Sequence, residues 1–368
     1  MKKGIVLFII GMLFSASWSY AGDSIKVTFL NPNGKGNRFW DLQTSFMQAS
    51  ANDLSMDLEV IYSTGGHRYE YEELAKKILT SSNKPDYLIS IFKKGISERI
   101  LQLAEKEGVR YFTINTDISG EEQKLIGKPR EKFKYWIGQM IPDDTQAGYQ
   151  LAKILIEKAR KLNLKGTDGK IQILGISGSM DSSAALDRNA GLEKAIKDHP
   201  DTILHQIVFT NWDQEDSRQR VSRFLIRYPE LNIIWCASDG ISLGVVQAIE
   251  ENGKIPGQHI LTGGIDWSKE GLQAVKEGKM LTTLGGHFME GGLALVLLYD
   301  YHHGKDFATE SGIRITTGFK SITSENIQAY ENKLRVEKWG SINFKKLSKV
   351  YNSKWEKYNF DLEEIFGE

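Results

Sequence analysis

Short apolar runs alternate with amphipathic stretches along almost the whole chain. Residues 25–30, 58–62, 87–91 and 111–114 are compact apolar runs bounded by polar or turn-forming residues, and read as strands. Between them, 42–53, 69–80 and 96–107 place apolar residues at helical spacing, as Leu74, Ile78 and Leu79 do in the second. The order β-α-β-α-β-α-β with short links predicts a parallel sheet covered by helices on both faces.

A charged connector follows at 121–135, then a short strand at 136–141, and the pattern restarts. The long helix 144–162 carries Ala147, Leu151, Ile154 and Leu155 on one face. Strands at 171–176, 203–209, 233–236, 260–265 and 280–284 alternate with helices at 184–198, 216–227, 269–277 and 290–303 and one built on Leu243, Val246 and Ile249. A strand at 314–319 and a helical turn or two at 323–334 complete the pattern. The segment from Trp339 onward still carries Phe344, Leu347, Tyr351, Trp355, Tyr358 and Phe360, enough apolar anchors to predict that it packs on the body. The expected fold class is α/β, two successive doubly wound parallel-sheet lobes joined by crossover strands. A length of 368 residues agrees with two domains.

Residues 231–267 hold the densest chemistry. One strand ends at Ala237–Ser238–Asp239, and the next delivers Asp266 and Trp267. Ligands of open α/β sheets bind outside the carboxyl ends of the strands, so these polar and aromatic ends are candidate contacts. Asp239 competes with a capping role for its helix.

Lys plus Arg equals Asp plus Glu at 47 each, which provides no basic surplus for nucleic acid. Residues 1–21 read as a cleavable signal peptide: Lys2 and Lys3, an apolar run over 4–14, then Ser19-Tyr20-Ala21 with small residues at the cleavage positions. The apolar run is too short to span a bilayer, which takes about 20 residues. The mature protein is expected in a periplasm, not embedded in the membrane. Cys236 is the one cysteine and sits in a buried-looking strand. His67, His199, His205, His259, His302 and His303 show no zinc-ligand spacing, and no nucleophile, metal or phosphate-loop motif occurs, so neither an enzyme nor a bound cofactor is expected.

Four segments resemble the type I periplasmic binding proteins of the ribose/galactose class: NPNGKGNRFW after the first strand, IGQMIPDDTQAGYQLAKIL, GISGSMDSSAALDRNAGLEKAI, and YPELNIIWCASDGISLGVVQAIEENG with GGIDW beyond it. The resemblance implies three passages of the chain between lobes and a sugar or polyol held in the cleft. It implies an N-terminal lobe of 24–141 plus 287–316, a C-terminal lobe of 142–286 plus 317–345, and a tail, 346–368. It also implies that Phe39 and Trp40 stack on the ligand ring, with Trp212 on the opposite wall. Asn115, Arg188, Ser238 and Asp266 would then contact hydroxyls, each unpaired group in a closed cleft costing about 1–3 kcal/mol.

The autoinducer-2 receptor branch is similar as well, through Trp40, Asn115, Arg188 and Trp267. That branch has a second arginine near Gly285, where this chain has none, so a borate diester anion is not expected. Gly285–Gly286 also stand where the sugar-binding class often has a polar side chain, and His287 is the neighbouring substitute. The partners implied are the membrane subunits of an ABC importer; the alternative is a membrane histidine kinase or chemoreceptor, with the long tail as docking element. The tail reads more simply as a strap across the hinge.

Overall fold

The computed structural model describes residues 24–64, 67–118 and 120–367. The signal-peptide reading at 1–21 lies outside them. In chain order the first half comprises β1 (Lys26–Asn31), α1 (Arg38–Leu54), β2 (Asp57–Tyr62), α2 (Arg68–Leu79), β3 (Tyr87–Ser90), α3 (Ser97–Glu107), β4 (Arg110–Ile114), α4 (Glu121–Ile126) and β5 (Trp136–Pro142). The second half begins with α5 (Asp144–Lys161), β6 (Ile171–Ser177), α6 (Ser183–Asp198), β7 (Thr202–Phe209), α7 (Gln214–Arg227), β8 (Ile233–Cys236), α8 (Asp239–Glu251), β9 (Leu261–Ile265), α9 (Lys269–Lys276) and β10 (Thr282–Gly285). It ends with α10 (Glu290–His302), β11 (Arg314–Thr317), β12 (Lys320–Thr323), α11 (Ile327–Glu331) and α12 (Leu362–Phe366).

Two six-stranded sheets result, in the orders β11-β5-β4-β3-β1-β2 and β12-β10-β9-β8-β6-β7. All pairings are parallel except β10 with β12. Sequence reading makes 314–319 one strand. The structure ends this strand, β11, at Thr317 in the first sheet and begins an unforeseen β12 at Lys320 in the second, so the chain passes between the sheets here. A short helix, α4, interrupts the expected connector.

Each order reverses direction once, between β1 and β3 and between β6 and β8, which opens a crevice at the carboxyl ends of both sheets. Local chemistry starts the helices there. Asn37, Asp143, Ser238 and Ser268 each accept a hydrogen bond from a main-chain N–H of the first turn of α1, α5, α8 and α9. Glycines then let α5 and α6 touch: a Cβ on Gly191 would stand 2.1 Å from Thr145 O, and one on Gly148 2.0 Å from Arg188 O. That close approach sets the height of Arg188 on α6.

The chain passes between the lobes at β5–α5, at β10–α10 and at β11–β12. A fourth passage is unexpected. α11 lies on the second lobe, where Glu331 pairs with Lys276 at 2.6 Å and Tyr330 packs on Trp267. Trp339 then stacks on Phe288 (5.2 Å between centroids) and meets Phe46 of α1 edge-on, as does Phe344. Residues 317–345, expected to belong to the second lobe, are therefore divided. From Trp339 on they join the first core, because α1 and the wholly apolar body of α10 offer a face with no other cover. The tail continues on the same lobe. Asp300 of α10 accepts hydrogen bonds from Ser348 Oγ, Lys349 N (2.7 Å), Val350 N (3.3 Å) and Tyr358 Oη (2.8 Å).

Candidate functional site

The strand ends of the two sheets face one another across a narrow gap. Exposed ion pairs cross it from Arg38 to Glu270 (3.3 Å) and from Arg68 to Asp181 (3.7 Å), and Asp117 N donates to Ser183 Oγ at 2.9 Å.

Arg188 lies at the centre, 3 % exposed. Its Nε donates to Asp144 Oδ1 at 2.6 Å and its Nη1 to Ala237 O at 2.7 Å. Nη1 also stands 3.9 Å from Asp266 Oδ1, and Nη2 is 3.3 Å from His287 Nε2. The guanidinium lies over Trp212 and over Phe319, 5.8 Å from each ring centroid. Trp212 itself lies on Gly178, where a Cβ would stand 2.1 Å from the indole, and donates from Nε1 to Ser179 Oγ at 3.2 Å. From the first lobe, Phe39 stacks on His287 at 4.6 Å and 22°, and Trp40 meets Phe39 edge-on. Phe319 closes the other side of the imidazole at 4.8 Å.

Phe39, Trp40, Arg188, Trp212 and Asp266 thus form one connected cluster. Asn115 joins it through its main chain, which borders the Glu290 carboxyl. Two other candidates stand beside the cluster. Ser238 Oγ is used as the cap of α8, accepting from Ile241 N at 3.3 Å. Trp267 is buried against Gly285 and Tyr330, with Nε1 donating to Thr283 O, so it builds the wall. Asp239 is not the cap: its carboxylate ties α8 to neighbouring segments, accepting from Ser268 N, Ser268 Oγ and Thr283 Oγ1. Asp143 and Asp144 adjoin at the start of α5. Only Asp143 caps, and Asp144 is the buried partner of Arg188.

Backbone strain concentrates here. Asn115, Trp212, Asp266 and Trp267 have φ of 67°, 63°, 141° and 57°, conformations that cost non-glycine residues about 1–3 kcal/mol each and persist where surrounding packing enforces them. Buried polar atoms lacking a partner include Ser177 Oγ at the end of β6, His287 Nδ1 and Glu290 Oε2. Such atoms cost about 1–3 kcal/mol apiece and mark a surface built to meet polar groups.

The buried charges are unbalanced. The buried Asp144, Asp239 and Glu290 and the slightly exposed Asp266 surround one guanidinium. Burial pushes the Asp144 and Asp239 carboxyls up to about 6, against the opposing pull of Arg188 on the first and of hydrogen bonds on the second. Burial also raises Asp266 and Glu290 well above the usual carboxylate range. It holds His287 well below the ordinary imidazole value, with Arg188 adding to the effect. A carboxyl raised in the folded state contributes stability that is fully present below its unfolded value near 4 and is lost as pH rises through about 6. Between pH 5 and pH 7, the urea midpoint of the ligand-free protein should fall, and it should fall less in Asp239→Asn. Equal slopes in the two proteins would show that Asp239 does not supply the effect.

A two-lobed α/β scaffold with polar and aromatic strand ends converging on a gap is a small-molecule receptor. Residues 27–306 match the family model described as periplasmic binding protein domain, and the chain belongs to that family. It is a binding protein, not an enzyme. A periplasmic sugar-binding protein from Pseudomonas fluorescens is similar at 31 % identity and a TM-score of 0.82, over 92 % of this chain and 98 % of that one. The D-allose-binding periplasmic protein of Escherichia coli is 22 % identical over 79 % of this chain and 88 % of its own length. A xylitol-binding protein of Mycolicibacterium smegmatis is 25 % identical over 47 % of each chain, so this match spans about half of that relative.

Proposed function

We propose that this chain is a periplasmic solute-binding protein that captures a sugar or polyol between its lobes and delivers it to an ABC importer. The reading is supported most by the Arg188–Asp266–His287–Phe39 cluster, where ring faces and buried polar atoms converge from both lobes. Flat rings cover the C–H faces of a sugar, while charged groups make the stronger hydrogen bonds to its hydroxyls. The names of the relatives point to the same ligand class. Four acidic side chains around Arg188 speak against an anionic ligand, as does the lack of a second arginine near Gly285. The family's description supports a periplasmic location, and the signal-peptide reading of residues 1–21 agrees with it. The tail is folded onto the first lobe, so it lends no weight to a sensor-kinase partner. The proposed ligand set is Phe39, Trp40, Asn115, Arg188, Trp212 and Asp266, with His287 added.

The test is a thermal-shift and calorimetry panel of D-allose, D-ribose, L-arabinose, xylitol and myo-inositol. A ligand at a hundred times its Kd should stabilise the protein by about 2.7 kcal/mol. Asp266→Ala and Trp40→Ala should abolish that gain while the ligand-free fold persists. A panel without any stabilising member, or variants that bind normally, would overturn the reading.

A further inference from the structure

We propose that His287 determines ligand specificity as a hydrogen-bond donor: its Nδ1–H meets an oxygen of the bound sugar or polyol, and this holds only while the imidazole is neutral. The inference rests on the ligand class proposed above but identifies a group and a proton that the class alone does not.

The tautomer follows from the neighbours. Arginine has donors and no acceptor. Arg188 Nη2 lies 3.3 Å from His287 Nε2, so Nε2 receives that hydrogen bond and carries no proton. Asp266 Oδ1, at 3.6 Å, is beyond hydrogen-bond reach of the same nitrogen. The proton of a neutral ring must then sit on Nδ1, which is buried without a partner. The side chain is 1 % exposed, and its ring is clamped between Phe39 of the first lobe and Phe319 of the segment joining β11 to β12. A clamped ring with one nitrogen capped presents a single donor in a fixed direction. It demands an acceptor oxygen, hydroxyl or ring ether, from whatever lies beside it.

The same contacts oppose the cation. A second proton on Nε2 would face the Arg188 guanidinium directly. The other charged groups nearby are already engaged or lie farther off. Asp144 is paired with Arg188, Asp239 with Ser268 and Thr283, and Glu290 accepts from Thr317 Oγ1. Among the described residues, Asp266 is the one acid with an oxygen within 4 Å of a ring nitrogen. Acid therefore converts a preorganised donor site into one in which two cations collide, and binding weakens.

Nitrogen-15 NMR of the histidine rings, assigned by comparison with His287→Phe, tests the proton directly. The His287 signals should report a neutral Nδ1–H ring from pH 7 down to pH 5. An Nε2–H ring, or a cation at pH 7, would overturn the proposal. Calorimetry with D-allose, D-ribose and xylitol tests the contact. His287→Phe keeps a ring between Phe39 and Phe319 but should weaken the best probe roughly ten- to a hundredfold. His287→Asn, which keeps a donor, should retain more affinity, and its binding should lack the acid loss that sets in for the wild type once the ring is charged, below pH 5. Unchanged binding in His287→Phe, or the same acid loss in His287→Asn, would also overturn it. If no probe binds the wild type, the ligand reading is what has failed, and the NMR result still decides the state of His287.

Discussion

Arg188→Leu should cost about 3–5 kcal/mol of folding stability, because it leaves the Asp144 carboxylate buried with no counter-charge. The loss goes beyond one ion pair. Ala237 O loses its donor, and the side chain that spaces Trp212 from Phe319 disappears. Arg188→Lys should recover little, since one ammonium cannot reproduce a fork that reaches Asp144 and Ala237 O at once. Removing both charges, as in Arg188→Leu with Asp144→Leu, should be better tolerated than the arginine change alone. Urea unfolding of the three variants checks this. An Arg188→Leu protein within about 1 kcal/mol of wild type would mean that the guanidinium does not organise the cluster.

Truncation after Lys338 should prevent the first lobe from folding. It removes Trp339, Phe344, Leu347, Leu362 and Ile365, all buried in the first core. At about 1.5–3 kcal/mol per buried side chain, the loss approaches 10 kcal/mol, against a whole-protein stability of about 5–15 kcal/mol. The milder Asp300→Ala keeps every apolar anchor and strips the acceptor from four donors of the tail. It should lower stability by roughly 2–4 kcal/mol and expose the tail to limited proteolysis before the rest of the chain. Rapid cleavage at equal sites in wild type and Asp300→Ala, or a truncated protein with native circular dichroism, would show that the tail is an accessory.

Much of this architecture is legible in the sequence, since apolar runs of strand length alternate with helical spacing at short intervals and parallel strands leave few other arrangements. The alternation cannot show where the chain changes lobes. Residues 314–323 are continuous in β character, and the switch from the first sheet to the second occurs within two residues of backbone, Gly318 and Phe319. Tail anchors such as Trp339 are visible as apolar residues, but their destination depends on which face of α10 is left uncovered. The site divides in the same way. Asp266 is legible by position alone, as a polar residue at a strand end, whereas Arg188, inside α6, is reached only through the family resemblance. The roles of Asp143 and Asp144 depend on which of two adjacent carboxyls turns inward, and those of Ser238 and Asp239 on which one the helix start consumes. Glu290 had one signal available, an acid beginning an otherwise apolar helix.

The composition of the first core has a consequence for how the polypeptide is made. That core contains Phe29 and Phe46 from near its start, Leu293 to Leu298 from α10, and Trp339 to Ile365 from the far end. Domains generally fold as units, amino-terminal ones first, while the ribosome is still working. Here the earlier-made half cannot complete itself until the later-made half has emerged. The second sheet, whose strands run from Ile171 to Thr323, is therefore expected to reach its native packing first and to serve the other as a template.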